Sequence, residues 1–145
     1  MTMMLCDHAQ VAEGKLFISG GGWSVTGPMP SPSAVALKIE VPWNQANTPI
    51  KFVLELVDQD GKAVQQQGPL GLQPLRIEGQ VEVGRPPGLA PGTPLDVPLA
   101  IGVGPLPLMP GKRYTWRLTL DGQTEEGWQL SFSVRGQPGG GRAAD

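Results

Sequence analysis

Segment after segment of this chain alternates apolar and polar residues, and no stretch of comparable length repeats with a helical period. The plainest is 113–121, with Tyr114, Trp116, Leu118 and Leu120 on one side and Arg113, Thr115, Arg117, Thr119 and Asp121 on the other. Successive side chains of an extended strand point to opposite faces, so such a segment buries one face and wets the other. Alternation on this scale confines the chain to an all-β fold.

The same pattern sets Val35, Leu37, Ile39 and Val41 inward against Ala36, Lys38 and Glu40. It sets Phe52, Leu54 and Leu56 against Lys51, Val53, Glu55 and Val57, and Ile77, Gly79, Val81 and Val83 against Arg76, Glu78, Gln80 and Glu82. Val97, Leu99, Ile101 and Val103 make another strand, and Trp128, Leu130, Phe132 and Val134 the last. Pro98 has no N–H for a ladder, which assigns its strand to a sheet edge or a bulge. The stretches 3–8 and 15–19 alternate less cleanly, as expected of strands buried on both faces or lying at a partly covered edge. Glu13-Gly14-Lys15 between them suits a tight turn, and Asp58-Gln59-Asp60-Gly61-Lys62 suits a second hairpin. Leu108-Met109-Pro110-Gly111-Lys112-Arg113-Tyr114 has the form of a tyrosine corner, in which the hydroxyl returns to the backbone just upstream; the alternative is a core Tyr with a wet hydroxyl. Together these predict a single immunoglobulin-like antiparallel β-sandwich of about 8 strands. It occupies residues 1–135, and 136–145 form a disordered, Gly-rich tail.

Gly (21) and Pro (16) are abundant but fall mostly between the alternating segments, where they punctuate turns. A net charge of -2 offers no electrostatic grip on phosphate backbones, so no nucleic-acid partner is expected. No stretch has the length and apolarity of a membrane helix, and the first residues lack the basic lead and apolar core of a signal peptide. Cys6 is the only cysteine, which rules out an intramolecular disulfide. A cytoplasmic protein without a membrane partner is expected.

The opening Leu5-Cys6-Asp7-His8-Ala9-Gln10-Val11-Ala12-Glu13-Gly14-Lys15-Leu16-Phe17-Ile18-Ser19-Gly20-Gly21-Gly22-Trp23 resembles that of a family of small bacterial proteins of unknown function, found mainly in actinobacteria. The resemblance continues through Val41-Pro42-Trp43, Gly84-Arg85-Pro86-Pro87-Gly88 and Pro94-Leu95-Asp96-Val97-Pro98-Leu99. It implies a bacterial, single-domain, cytosolic protein and brings no activity, cofactor or partner with it.

Chemistry is sought first at Cys6-Asp7-His8, which holds the only Cys and the only His. On a strand Cys6 and His8 share a face and Asp7 points away, leaving two soft ligands where zinc needs three or four. The plainer reading has Asp7 accepting backbone or His N–H bonds, with His8 held in one tautomer at the turn before the hairpin. Cys6 lies about 7 Å along the strand from His8, too far for a nucleophile and its base. Ser24 has Thr26 where a nucleophile elbow needs glycine, and no helix follows. Gly20-Gly21-Gly22 fails the spacing of phosphate loops and suits a bulge or sharp corner. Asp58 and Asp60 mimic the start of a calcium loop without its remaining ligands. Trp116 and Trp128 belong to the core, whereas Trp23 and Trp43 fall in loops, where they either bind a partner or fold back as lids over the core ends. Val53 and Val57 on a polar face, and the uncharged Pro105-Leu106-Pro107-Leu108-Met109, hint at a subunit interface.

The expectation is therefore a non-catalytic sandwich that works by association with another protein or with itself, with no cofactor and no metal. Asp7, His8, Trp23 and Trp43 are its candidate binding residues. The alternatives are a small-ligand or metal site around Asp7, His8 and Trp23, with an enzymatic role open, and a structural subunit of a phage- or secretion-type assembly.

Overall fold

The alternating segments become strands, and their apolar faces meet between two sheets. A computed structural model of the chain describes residues 1–29 and 31–136. The expected tail lies, from residue 137 on, outside the described residues. One sheet contains β1 (Thr2–Ala12), β2 (Lys15–Gly21), β4 (Ser33–Val41) and β9 (Leu95–Val103), in the order β2-β1-β4-β9. The other contains β3 (Val25–Thr26), β5 (Ile50–Asp58), β8 (Arg76–Val81), β10 (Arg113–Leu120) and β11 (Gln129–Val134), in the order β3-β11-β10-β5-β8. A separate hairpin joins β6 (Gln65–Gly68) to β7 (Gly71–Pro74). All pairings are antiparallel except that of β3 with β11.

The described residues thus form a two-sheet β-sandwich with more strands than the expected count of about eight. The additions are short or polar: β3 spans two residues, and Gln65-Gln66-Gln67 carries no apolar alternation. The core forms where Val35, Leu37, Ile39 and Val41 of β4 face Leu54 and Leu56 of β5 and Trp116 and Leu118 of β10, all at most 3% exposed. Pro98 stands on an edge strand, since β9 pairs only with β4. The Met109 N–H donates to the Tyr114 hydroxyl at 2.9 Å, the contact expected of the corner. In the second hairpin turn, Oδ1 of Asp58 accepts from the N–H groups of Asp60 and Lys62 at 2.9 Å each.

Two outward assignments differ from expectation. Val57 is buried, because the chain returning from the Asp58 turn pairs Ala63 with it. Ala36 is also buried, together with Ala34 and Cys6, on the face of the four-stranded sheet turned away from the core. The cause is a third layer. β1 pairs with β4 over Thr2 to Cys6 and with β2 over Cys6 to Ala12, so beyond Cys6 the β1–β2 hairpin leaves β4 as a two-stranded arm. Its ladder is broken at Asp7 and Gly20, where Gly20 adopts φ +60. The arm bends across the sheet: both its strands approach β9, and Ala9 and Leu16 pack on Cys6, Ala34 and Ala36. Small side chains in the sheet permit this approach, so Ala36, which reads as solvent-facing, is covered by the chain's own hairpin.

Candidate functional site

The tripeptide Cys6-Asp7-His8 sits at the root of this arm, and the bend disperses its side chains. Cys6 is 0% exposed, with its thiol aimed at the Ala34 carbonyl at 3.5 Å. Burial, helped by the neighbouring Asp7 carboxylate, pushes the thiol pKa up from its ordinary value, so Cys6 stays protonated and lacks the thiolate that reactive cysteines need. Asp7 is exposed, and its carboxylate lies over Gly20, where a Cβ would strike it. His8 is exposed and pairs with Ser19 in the middle of the hairpin. The turn itself comes at Glu13 and Gly14, so the expectation of His8 held at the turn is not met. Among the described residues no group of three or more His, Cys, Asp or Glu side chains gathers to hold a metal ion.

Trp23 and Trp43 fold back as lids. The Trp23 ring meets Phe132 edge-on at 5.9 Å, and its indole Nε1 is buried with no hydrogen-bond partner among the described residues. Trp43 opens a 3-10 turn (Trp43–Gln45) and lies under the Arg85 guanidinium, 4.7 Å from the ring centroid. Nε and Nη2 of Arg85 donate to the Trp43 carbonyl at 3.2 and 2.8 Å. Half-burial, a cation–π contact and a forked hydrogen bond fix Trp43 in place as part of the scaffold. The tryptophans flank opposite ends of β4, about 25 Å apart at ~3.3 Å per residue, so they do not form one site.

Of the four candidate residues, Asp7 and Trp23 do share a cleft. Leu106, Leu108 and Phe132 form its apolar wall, and Ser33 adds a hydroxyl. Its internal volume is about 40 Å³. That is room for a few waters, far below the roughly 300 Å³ of the smallest usual ligand pockets. A wider groove of about 630 Å³ opens at the other end of the sandwich, floored by Val41, Ile50 and Trp128 and rimmed by Glu40, Asp121 and Glu125. Oδ1 of Asp121 is already engaged, accepting the Lys51 N–H at 2.9 Å. Neither the groove nor the contribution of Leu106 and Leu108 to the cleft was legible in the sequence, because both are made where loops leave the strands.

Large apolar residues are exposed at several places, Leu70, Leu72, Met29 and Met109 most of all, and the arm gathers three more. Val11, Phe17 and Ile18 are 43%, 48% and 37% exposed, and all belong to β1 or β2. β2 is an edge strand with Leu16-Phe17-Ile18 at its centre and Lys15 as its one charge. Three other sheet edges carry the usual protections against strand addition. β9 has Pro98 and Asp96, β8 has Arg76 and Glu78 in a 3.5 Å ion pair, and β3 is two residues long. The signal was present in the sequence as an uncharged apolar run after the Glu13-Gly14 turn, but only the strand order shows that it lies on an edge.

Fold and surface together define a β-sandwich whose β2 edge is apolar and carries one charge, with no group of three or more metal-ligating side chains among the described residues. The chain belongs to the family of unknown function DUF6941, whose model matches residues 1–135. Neither a curated protein nor a solved structure gives a significant match to the chain. No helix among the described residues is long and apolar enough to cross a membrane.

Proposed function

We propose that this chain is a non-catalytic, cytoplasmic binding module that works by associating with another polypeptide through the exposed edge of β2. The observation that carries this reading is the Leu16-Phe17-Ile18 run on a strand paired on one side only. Unpaired backbone N–H and C=O groups along such an edge recruit a strand, and exposed side chains on both faces supply apolar contact. We read the sandwich as immunoglobulin-like, an arrangement that leaves sheet edges free for such use. The reading draws on β4 and β9 in one sheet, β5, β10 and β11 in the other, and the Met109–Tyr114 hydrogen bond.

A small-ligand role for the Asp7 and Trp23 cleft has one observation in its favour, the unpartnered Nε1 of Trp23. Size weighs against it, because the space holds no more than a few waters. The binding partner sought at loop tryptophans is accordingly sought at β2 instead.

Cross-linking of the tagged chain in cells tests this. Species formed by the wild type are expected to disappear in Phe17→Lys and to persist in His8→Ala. Species untouched by Phe17→Lys would overturn the reading, as would a measurable catalytic activity lost in a folded His8→Ala variant.

A further inference from the structure

We infer that the strand added to β2 is β2 of a second copy of this chain, paired antiparallel about a two-fold axis. The inference rests on the reading of β2 as the associating edge and names its partner.

Three observations select a second copy. The first is self-complementarity. With the axis at Phe17, antiparallel pairing sets Phe17 against Phe17 and Leu16 against Ile18, so each apolar residue meets another. The second is charge. Lys15, the one charged residue of β2, falls opposite Ser19, next to Gly20. The Asp7 carboxylate of the other copy lies over that glycine, so each copy brings a cation to the other's anion and no like charges are placed opposite one another. The third is closure. Pro98 on β9, the charges of β8 and the shortness of β3 disfavour pairing of β2 with those three edges of the second copy. Pairing of β2 with β2 about a two-fold axis is isologous, so it gives a closed pair and no open filament. The two arms become one continuous layer across the dimer, extending the cover that each arm already lays over Cys6, Ala34 and Ala36.

Sedimentation velocity over a wide dilution series tests the pairing, using the full chain. The wild type is expected to show a reversible species of twice 15.3 kDa. Phe17→Lys places like charges opposite one another at the axis and is expected to weaken dimerisation by at least about thirtyfold. Its side chain is half exposed, and circular dichroism checks that the sandwich survives. Leu72→Lys, which removes an exposed leucine from the β6–β7 hairpin, is expected to leave the dimer unchanged. Lys15→Glu is expected to weaken it about fivefold, and adding Asp7→Lys to restore it, since that exchanges the two partners' signs. A wild type that stays monomeric throughout, or a dimer indifferent to Phe17→Lys, would overturn the inference. Should the chain be monomeric while Phe17-dependent cross-links to a different protein persist in cells, β2 remains the associating edge and only the second copy is wrong. Loss of both would remove the underlying reading too.

Discussion

Cys6 shows how an eye-catching residue becomes an inert one. Its thiol faces the Ala34 carbonyl under the arm, and burial followed by the Asp7 charge raises its pKa above the usual 9.0. A raised folded-state pKa means that the unfolded chain releases the thiol proton first as pH rises. Stability is then unaffected below about pH 9.0 and falls as pH climbs through that value towards the raised one. Denaturant titrations across that window are expected to show a steeper alkaline loss in the wild type than in Cys6→Ala; equal slopes would mean that the thiol is solvated. Period-two alternation correctly separated Asp7 from Cys6, and Asp7 does reach a cleft with Trp23. Sequence could not place Trp23 there, because a loop tryptophan's direction depends on Phe132 more than a hundred positions away. Nor could it pair Trp43 with Arg85, whose forked bond joins two loops from different parts of the chain.

At the scale of elements, the strands that line the core were legible because one buried face enforces strict alternation, and Pro98 marked an edge for a reason of covalent chemistry. The arm was not legible. Its strands are only partly covered, so they alternate weakly, and the bend that lays them over β4 and β9 depends on Gly20. The Gly20-Gly21-Gly22 run announced a corner without giving its direction. Gly14 and Gly20 both have positive φ, yet a Cβ meets nothing at Gly14 and meets the Asp7 carboxylate at Gly20. Gly14→Ala is therefore expected to cost about 1 kcal/mol, the penalty for a left-handed alanine. Gly20→Ala should cost more, and in the Asp7→Ala background its cost should fall towards that of Gly14→Ala. Thermal unfolding of the four variants checks this; equal costs for the two single glycine changes would show that the bend does not depend on the close approach of Asp7.

The whole molecule is a sandwich in which β9, β8 and β3 carry features that disfavour strand addition and β2 does not. The cleft is small, one oxygen of the groove's Asp121 accepts the Lys51 N–H, and in the tripeptide Cys6 is buried while Asp7 and His8 are exposed. The β2 edge combines unpaired backbone, apolar side chains and a single charge. Which of several strands would be terminal was beyond the sequence, since periodicity sets faces and leaves pairing order open. Amide hydrogen exchange resolved to single residues of β2 tests the central claim most directly. In concentrated wild-type protein, alternate N–H groups among Leu16, Phe17 and Ile18 that point away from β1 should be protected, and dilution or Phe17→Lys should release them. Outward N–H groups that exchange as freely as an open edge under every condition would contradict the account.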